Sequence, residues 1–130
     1  MPNAGYFNSE GGSFGFVAPS KGTGKKQSQF PYFDKPDVTL SSNAAKVEVV
    51  NTETFIDLSG SDLAANATLK LDIKAPVGSK LYVKSKSGAT AYNVVLKDAD
   101  GTNTYATLNG AQNATKFYTL LWDGESLNIV

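Results

Sequence analysis

The chain contains no histidine, no cysteine and no arginine. Without imidazole or thiol there can be no Ser-His-Asp triad, no thiolate nucleophile and no Cys- or His-ligated zinc, so the usual hydrolase and redox constellations are excluded. The missing arginine removes the guanidinium fork that nucleic-acid binders use on phosphates and guanines. The 12 basic residues, all lysine, are balanced by 12 acidic ones, which argues against a basic nucleic-acid face. No apolar run reaches the roughly 18 to 20 residues needed to cross a bilayer, and the opening MPNAGYFNSEGG lacks a basic stretch followed by an apolar core. A soluble chain without a standard secretion signal is expected, with neither nucleic acid nor membrane as partner. Glu, Gln and Met are scarce beside Gly, Asn, Ser and Thr, a balance that favours a β domain and a binding or structural part over an enzyme.

Residues 1–37 differ from the rest. They show neither sustained alternation nor a helical stripe. Instead they carry six glycines, four prolines and a small basic pair, Lys25-Lys26. This reads as an extended arm, yet disordered tails are poor in aromatics, and this one holds Tyr6, Phe7, Phe14, Phe16, Phe30, Tyr32 and Phe33. Ordering costs roughly 1 to 2 kcal/mol of backbone entropy per residue, more in total than seven rings can return, so the arm should order only against a partner or sister copies. Phe14, Phe16, Phe30, Tyr32 and Phe33 are its expected partner-binding anchors.

From Val38 the period becomes two. VTL (38–40), KVEVV (46–50), TFIDL (54–58), ATLKLDI (67–73), KLYVK (80–84), YNVVLK (92–97), NTYATL (103–108), KFYTLLW (116–122) and SLNIV (126–130) read as strands. Turn chemistry separates them at Ser41-Ser42-Asn43, Ser59-Gly60-Ser61-Asp62, Pro76-Val77-Gly78, Lys86-Ser87-Gly88, Asp100-Gly101, Asn109-Gly110 and Asp123-Gly124. Eight or nine short strands at this spacing predict an all-β domain over 38–130, an antiparallel, jelly-roll-like sandwich. Leu69, Leu71, Ile73, Leu81, Val83, Tyr92, Val94 and Leu96 should face its core, and Ile129 and Val130 should close it. One helical turn is conceivable at Asp62 to Ala67, behind an Asp cap.

Several motifs reduce to turns and linkers. Pro19-Ser-Lys-Gly-Thr-Gly-Lys-Lys26 lacks the leading glycine and trailing Ser or Thr of a phosphate loop, and no strand precedes it. Asp98-Ala-Asp-Gly-Thr-Asn103 begins like a calcium loop, but its glycine comes too early and no bidentate Glu follows. Asn66-Ala-Thr68 and Asn113-Ala-Thr115 match the glycosylation pattern by chance in an Asn- and Thr-rich chain. No catalytic, cofactor-binding or metal-binding residue is assigned, and no cofactor is expected.

The last segment, Lys116-Phe-Tyr-Thr-Leu-Leu-Trp-Asp-Gly-Glu-Ser-Leu-Asn-Ile-Val130, is a strand, an Asp-Gly turn and a closing strand. Through Tyr118, Leu120, Trp122, Asp123, Gly124, Asn128, Ile129 and Val130 it resembles the closing hairpin of bacteriophage appendage domains, departing from it at Leu127, where a tryptophan usually stands. The resemblance extends loosely upstream through Gly78 to Lys84 and Asn93 to Leu96. It implies a virion protein, a capsid decoration, head fibre or tail fibre, forming homo-oligomers, typically trimers, and docked on capsid or portal and tail subunits. It brings no catalytic residues. The expected function is therefore that of a structural protein of a phage particle, anchored by the aromatic arm.

Three other classes stand beside this one, among them an enzyme working through carboxylates alone, which the composition permits but nothing in the sequence localises. A carbohydrate- or receptor-binding module of a tail fibre would stack sugar rings on Tyr82, Tyr92, Tyr105 or Trp122. A nucleic-acid binder would rely on Lys21, Lys25 and Lys26 and would bind in a strongly salt-dependent way.

Overall fold

Period-two alternation becomes strand structure almost wherever the sequence shows it. The structure, a computed structural model, describes residues 33–130, and the unit they belong to runs from Pro31 to Val130. The strands are β1 (Phe33–Asp34), β2 (Ala44–Val49), β3 (Glu53–Asp57), β4 (Ala67–Ile73), β5 (Lys80–Ser87), β6 (Val94–Asp98), β7 (Thr104–Leu108), β8 (Ala114–Trp122) and β9 (Leu127–Ile129). Among the described residues there is no helix. Asp62 to Asn66 is irregular chain, with Leu63 buried in place of a helical turn. Val38 to Leu40 is likewise not a strand, although Val38 and Leu40 lean on the core.

The strands form two sheets, one of order β9-β8-β5-β3-β1 and one of order β2-β4-β6-β7. The all-β, two-sheet expectation holds, but purely antiparallel pairing does not. β1 with β3, β3 with β5, β2 with β4 and β4 with β6 are all parallel. Only β5 with β8, β8 with β9 and β6 with β7 are antiparallel. From β1 to β6 the chain alternates between the sheets, so each new strand lies beside the one laid down a full circuit earlier. Parallel neighbours need a long crossover, and here a strand of the opposite sheet serves as that crossover. Phe33 and Asp34, within residues 1–37, pair with Glu53 and Thr54 and form the edge of the larger sheet.

The core lies between the sheets. Val47, Val49, Leu69, Leu71, Val94, Leu96 and Leu108 face Ile56, Leu81, Val83, Leu120, Trp122 and Leu127, and all are buried. Burial at roughly 25 cal/mol per Å² of apolar surface is the main force holding the sheets together. Tyr105 and Trp122, one from each sheet, meet edge to face with ring centroids 5.2 Å apart. The pairing of β6 with β7 slips between Leu96 and Lys97, just where Tyr105 turns toward that contact. Among the described residues one buried side-chain polar atom, the Thr54 hydroxyl, has no hydrogen-bond partner.

The turns follow their residue chemistry. Ser42 and Asn43 both take positive φ between Ser41 and Ala44, which exchange two backbone hydrogen bonds of 2.8 and 3.1 Å, the geometry of a two-residue primed turn. Gly124 sits at φ +99 in the closing Asp-Gly turn, a backbone conformation that side chains resist. The closing strand itself differs from expectation: Leu127 is its buried residue, while Ile129 and Val130 are 52% and 69% exposed.

Candidate functional site

Each sheet has an outer face, and the two differ in chemistry. In the smaller sheet the outward positions are Lys46 and Glu48 on β2, Thr68, Lys70 and Asp72 on β4, and Val95 and Lys97 on β6. Lys74 bridges Glu48 at 2.8 Å and approaches Asp72 at 3.7 Å. A shallow depression of about 350 Å³ lined by Lys46, Glu48, Lys70, Asp72 and Ala99 lies on this face. Alternating charges that neutralise one another at an open surface describe a solvated face.

The larger sheet is different. With Thr54, Ile56, Leu81, Val83, Leu120 and Trp122 turned inward, strand alternation turns Phe55, Tyr82 and Phe117 outward. Phe55 and Tyr82 are register neighbours on β3 and β5. Phe117, on β8, reaches diagonally across to both: its centroid is 5.9 Å from Phe55 in an edge-to-face contact and 6.1 Å from Tyr82 in a stacked one. The Lys35 ammonium lies 5.5 Å from the Phe55 centroid, within cation–π range. Phe117 is 55% exposed and Phe33, at the sheet edge on the same side, 36%. Three clustered rings, Phe117 exposed and Phe55 and Tyr82 half-buried around it, form an apolar patch of the sort that marks an interaction surface. It is rimmed by Glu53, Asp57, Lys80 and Lys84, which follow the same alternation on β3 and β5.

Of the residues expected to bind a partner, Phe33 is on this face, whereas Phe14, Phe16, Phe30 and Tyr32 lie outside the described residues. Of the rings considered for sugar stacking, Tyr82 is on the open face, Trp122 is buried, and Tyr92 and Tyr105 pack against the core. Phe55 and Phe117 were not singled out in the sequence. The signal for both was present: each alternates with core residues, so an aromatic falls on the side where a lysine or threonine would be ordinary.

The acidic turns are self-satisfied. At Asp98 to Asn103, Thr102 N–H donates to Asp98 Oδ1 and Asp100 Oδ1 at 2.8 and 3.1 Å, and the Asn103 amide donates to Asp98 Oδ2 at 2.8 Å. Desolvation pushes the Asp98 carboxyl up, but hydrogen bonds from Asn103 and Thr102 outweigh it and hold the group below its usual range. In the closing hairpin the backbone N–H groups of Glu125 and Ser126 donate to Asp123 Oδ1, and Asn128 donates to Oδ2. These bonds hold Asp123 down at about 2. Both turns spend their carboxylate oxygens on their own backbone N–H groups and neighbouring side chains. No group of three or more metal-ligating side chains is assembled among the described residues, and there is among them no helix long and apolar enough to cross a membrane. Comparison with protein-family models, with curated proteins and with solved structures finds no match to this chain.

Proposed function

We propose that the protein is a structural component of a bacteriophage particle, a capsid decoration or head-fibre part. In this reading residues 1–37 attach it to capsid or portal and tail subunits, and the β domain is displayed or assembled with sister copies, trimers being the favoured form. Its mechanism is burial of surface during assembly, not turnover of a substrate. The observation that carries the reading is the asymmetry of the two outer faces: one is a charged, solvated surface and the other carries Phe55, Tyr82 and Phe117 in one cluster. The resemblance of the closing hairpin supplies the phage context. Phe33, on β1, pairs with Glu53 at the edge of the same sheet.

The test is attachment. Purified particles should contain the chain, and changing Phe30, Tyr32 and Phe33 together to Ala should weaken its attachment about a hundredfold, as losing interface anchors does. Absence of the chain from particles, or attachment that ignores these rings, would refute the reading. A second reading, a carbohydrate- or receptor-binding module, is favoured by one feature: Tyr82, one of the rings considered for sugar stacking, lies on the outer face of the larger sheet beside the exposed Phe117. Binding on a glycan array that disappears with Tyr82→Ala would support it.

A further inference from the structure

Apart from Lys35, whose ammonium lies over Phe55, the charges around the aromatic cluster are segregated by strand. On the outer face β3 carries the acids Glu53 and Asp57, and β5 carries the lysines Lys80, Lys84 and Lys86. The parallel register sets Glu53 level with Lys80, Phe55 with Tyr82 and Asp57 with Lys84. The same levels continue outward, with Phe33 beside Glu53 and Leu121 beside Lys80. The ion pairs among the described residues engage Glu48, Asp62, Asp72, Lys74 and Lys86, and leave Glu53 and Lys80 out; Lys84 forms none either, though it is near enough to help lower the Asp57 carboxyl. Asp57 accepts from the Ser59 hydroxyl and N–H through Oδ1.

We propose that this face is a contact between copies of the chain, arranged about a rotation axis parallel to β3 and β5. Rotation about such an axis preserves height along the strands and exchanges left for right. The acidic strand of one copy then lies opposite the lysine strand of the next, Glu53 meeting Lys80 and Asp57 meeting Lys84, while the level between them brings Phe55 against Tyr82. Phe33 falls across from Leu121, apolar on apolar. A two-fold axis across the strands would lay β3 on β3, acid on acid, and like charges brought together in this way are costly. The face is thus complementary to itself in one orientation only. The chain's formal net charge of zero removes long-range repulsion between copies.

This inference deepens the assembly reading and rests on it only for its biological setting. The experiment is the mass of the full chain in solution by sedimentation equilibrium, with β-sheet circular dichroism confirming that each variant is folded. The intact chain should be a homo-oligomer. Glu53→Lys with Asp57→Lys, and separately Lys80→Glu with Lys84→Glu, should each weaken association at least about tenfold by setting like charges face to face. All four substitutions in one chain should restore it. Phe117→Gln, which leaves every charge in place, should weaken association by a similar factor. A monomeric intact chain, an oligomer indifferent to both charge pairs, or a fourfold variant as weak as the pairs would overturn the proposal, as would unchanged association of Phe117→Gln. A monomer that still attaches to particles would sink this contact and leave the virion reading standing. An oligomer absent from particles would do the reverse.

Discussion

Thr54 offers a direct measurement of what an orphaned hydroxyl costs in this core. It lies on β3 between Asp34 of β1 and Leu81 of β5 in register, is 0% exposed, and its Oγ1 has no hydrogen-bond partner. A buried hydroxyl that gives up water without replacing it costs about 1 to 3 kcal/mol. Valine has nearly the same shape and equally favours a strand, so Thr54→Val should remove that cost without opening a cavity. A gain of about 1 to 2 kcal/mol is expected, which for a domain of this size corresponds to a rise in melting temperature of roughly 4 to 15 °C. Thr54→Ser is the control: it keeps the hydroxyl and deletes the methyl, and should lose about 1 kcal/mol. Denaturant titration of the two variants beside the parent, with equal slopes, isolates the effect. If Thr54→Val instead lowers the midpoint, the hydroxyl has a partner in solution and the reasoning fails.

Further outcomes follow from particular contacts. Gly110 has no room for a Cβ, which would run into the Tyr92 carbonyl oxygen and the Ser87 hydroxyl, so Gly110→Ala should cost about 2 to 4 kcal/mol in the same titration; a neutral result would mean that this loop can move aside freely. Leu127→Ala should lose about 2 to 3 kcal/mol because the side chain is buried beside Trp122, whereas Ile129→Ala, 52% exposed, should stay within about 0.5 kcal/mol. Equal losses would contradict the register of the closing hairpin. Acid should weaken the domain in a definite window: Asp123, held at about 2 by its hydrogen bonds, lies below its ordinary value, so its contribution is full above about pH 4 and disappears as the pH falls through about 2. Asp57, lowered by the hydrogen bonds from Ser59, acts in the same direction. In Asp123→Asn the decline of melting temperature between about pH 4 and pH 2 should therefore be shallower but not absent; an unchanged decline would remove Asp123 from the explanation.

What the sequence determined by itself is local. Alternation placed β4 at Ala67–Ile73 to the residue, and named Leu69, Leu71, Leu81, Val83, Val94 and Leu96 as core, because a strand's two sides are set by backbone geometry alone. The turn at Asp123-Gly124 was legible for the same reason: the carboxylate and the glycine do their work within six residues. Which strand lies beside which was not. A hairpin partner and a strand a full circuit away present the same alternation, so the parallel neighbours Val47 and Leu71, or Ile56 and Val83, carry no mark of their pairing. The same limit hid the aromatic cluster. Phe55, Tyr82 and Phe117 are far apart in sequence and unremarkable one by one, and only the ordering of β3, β5 and β8 in one sheet brings the rings together. Side-chain direction is a property of each strand, whereas a surface is a property of neighbours, and neighbours were chosen by how the whole chain could bury its two inner faces at once.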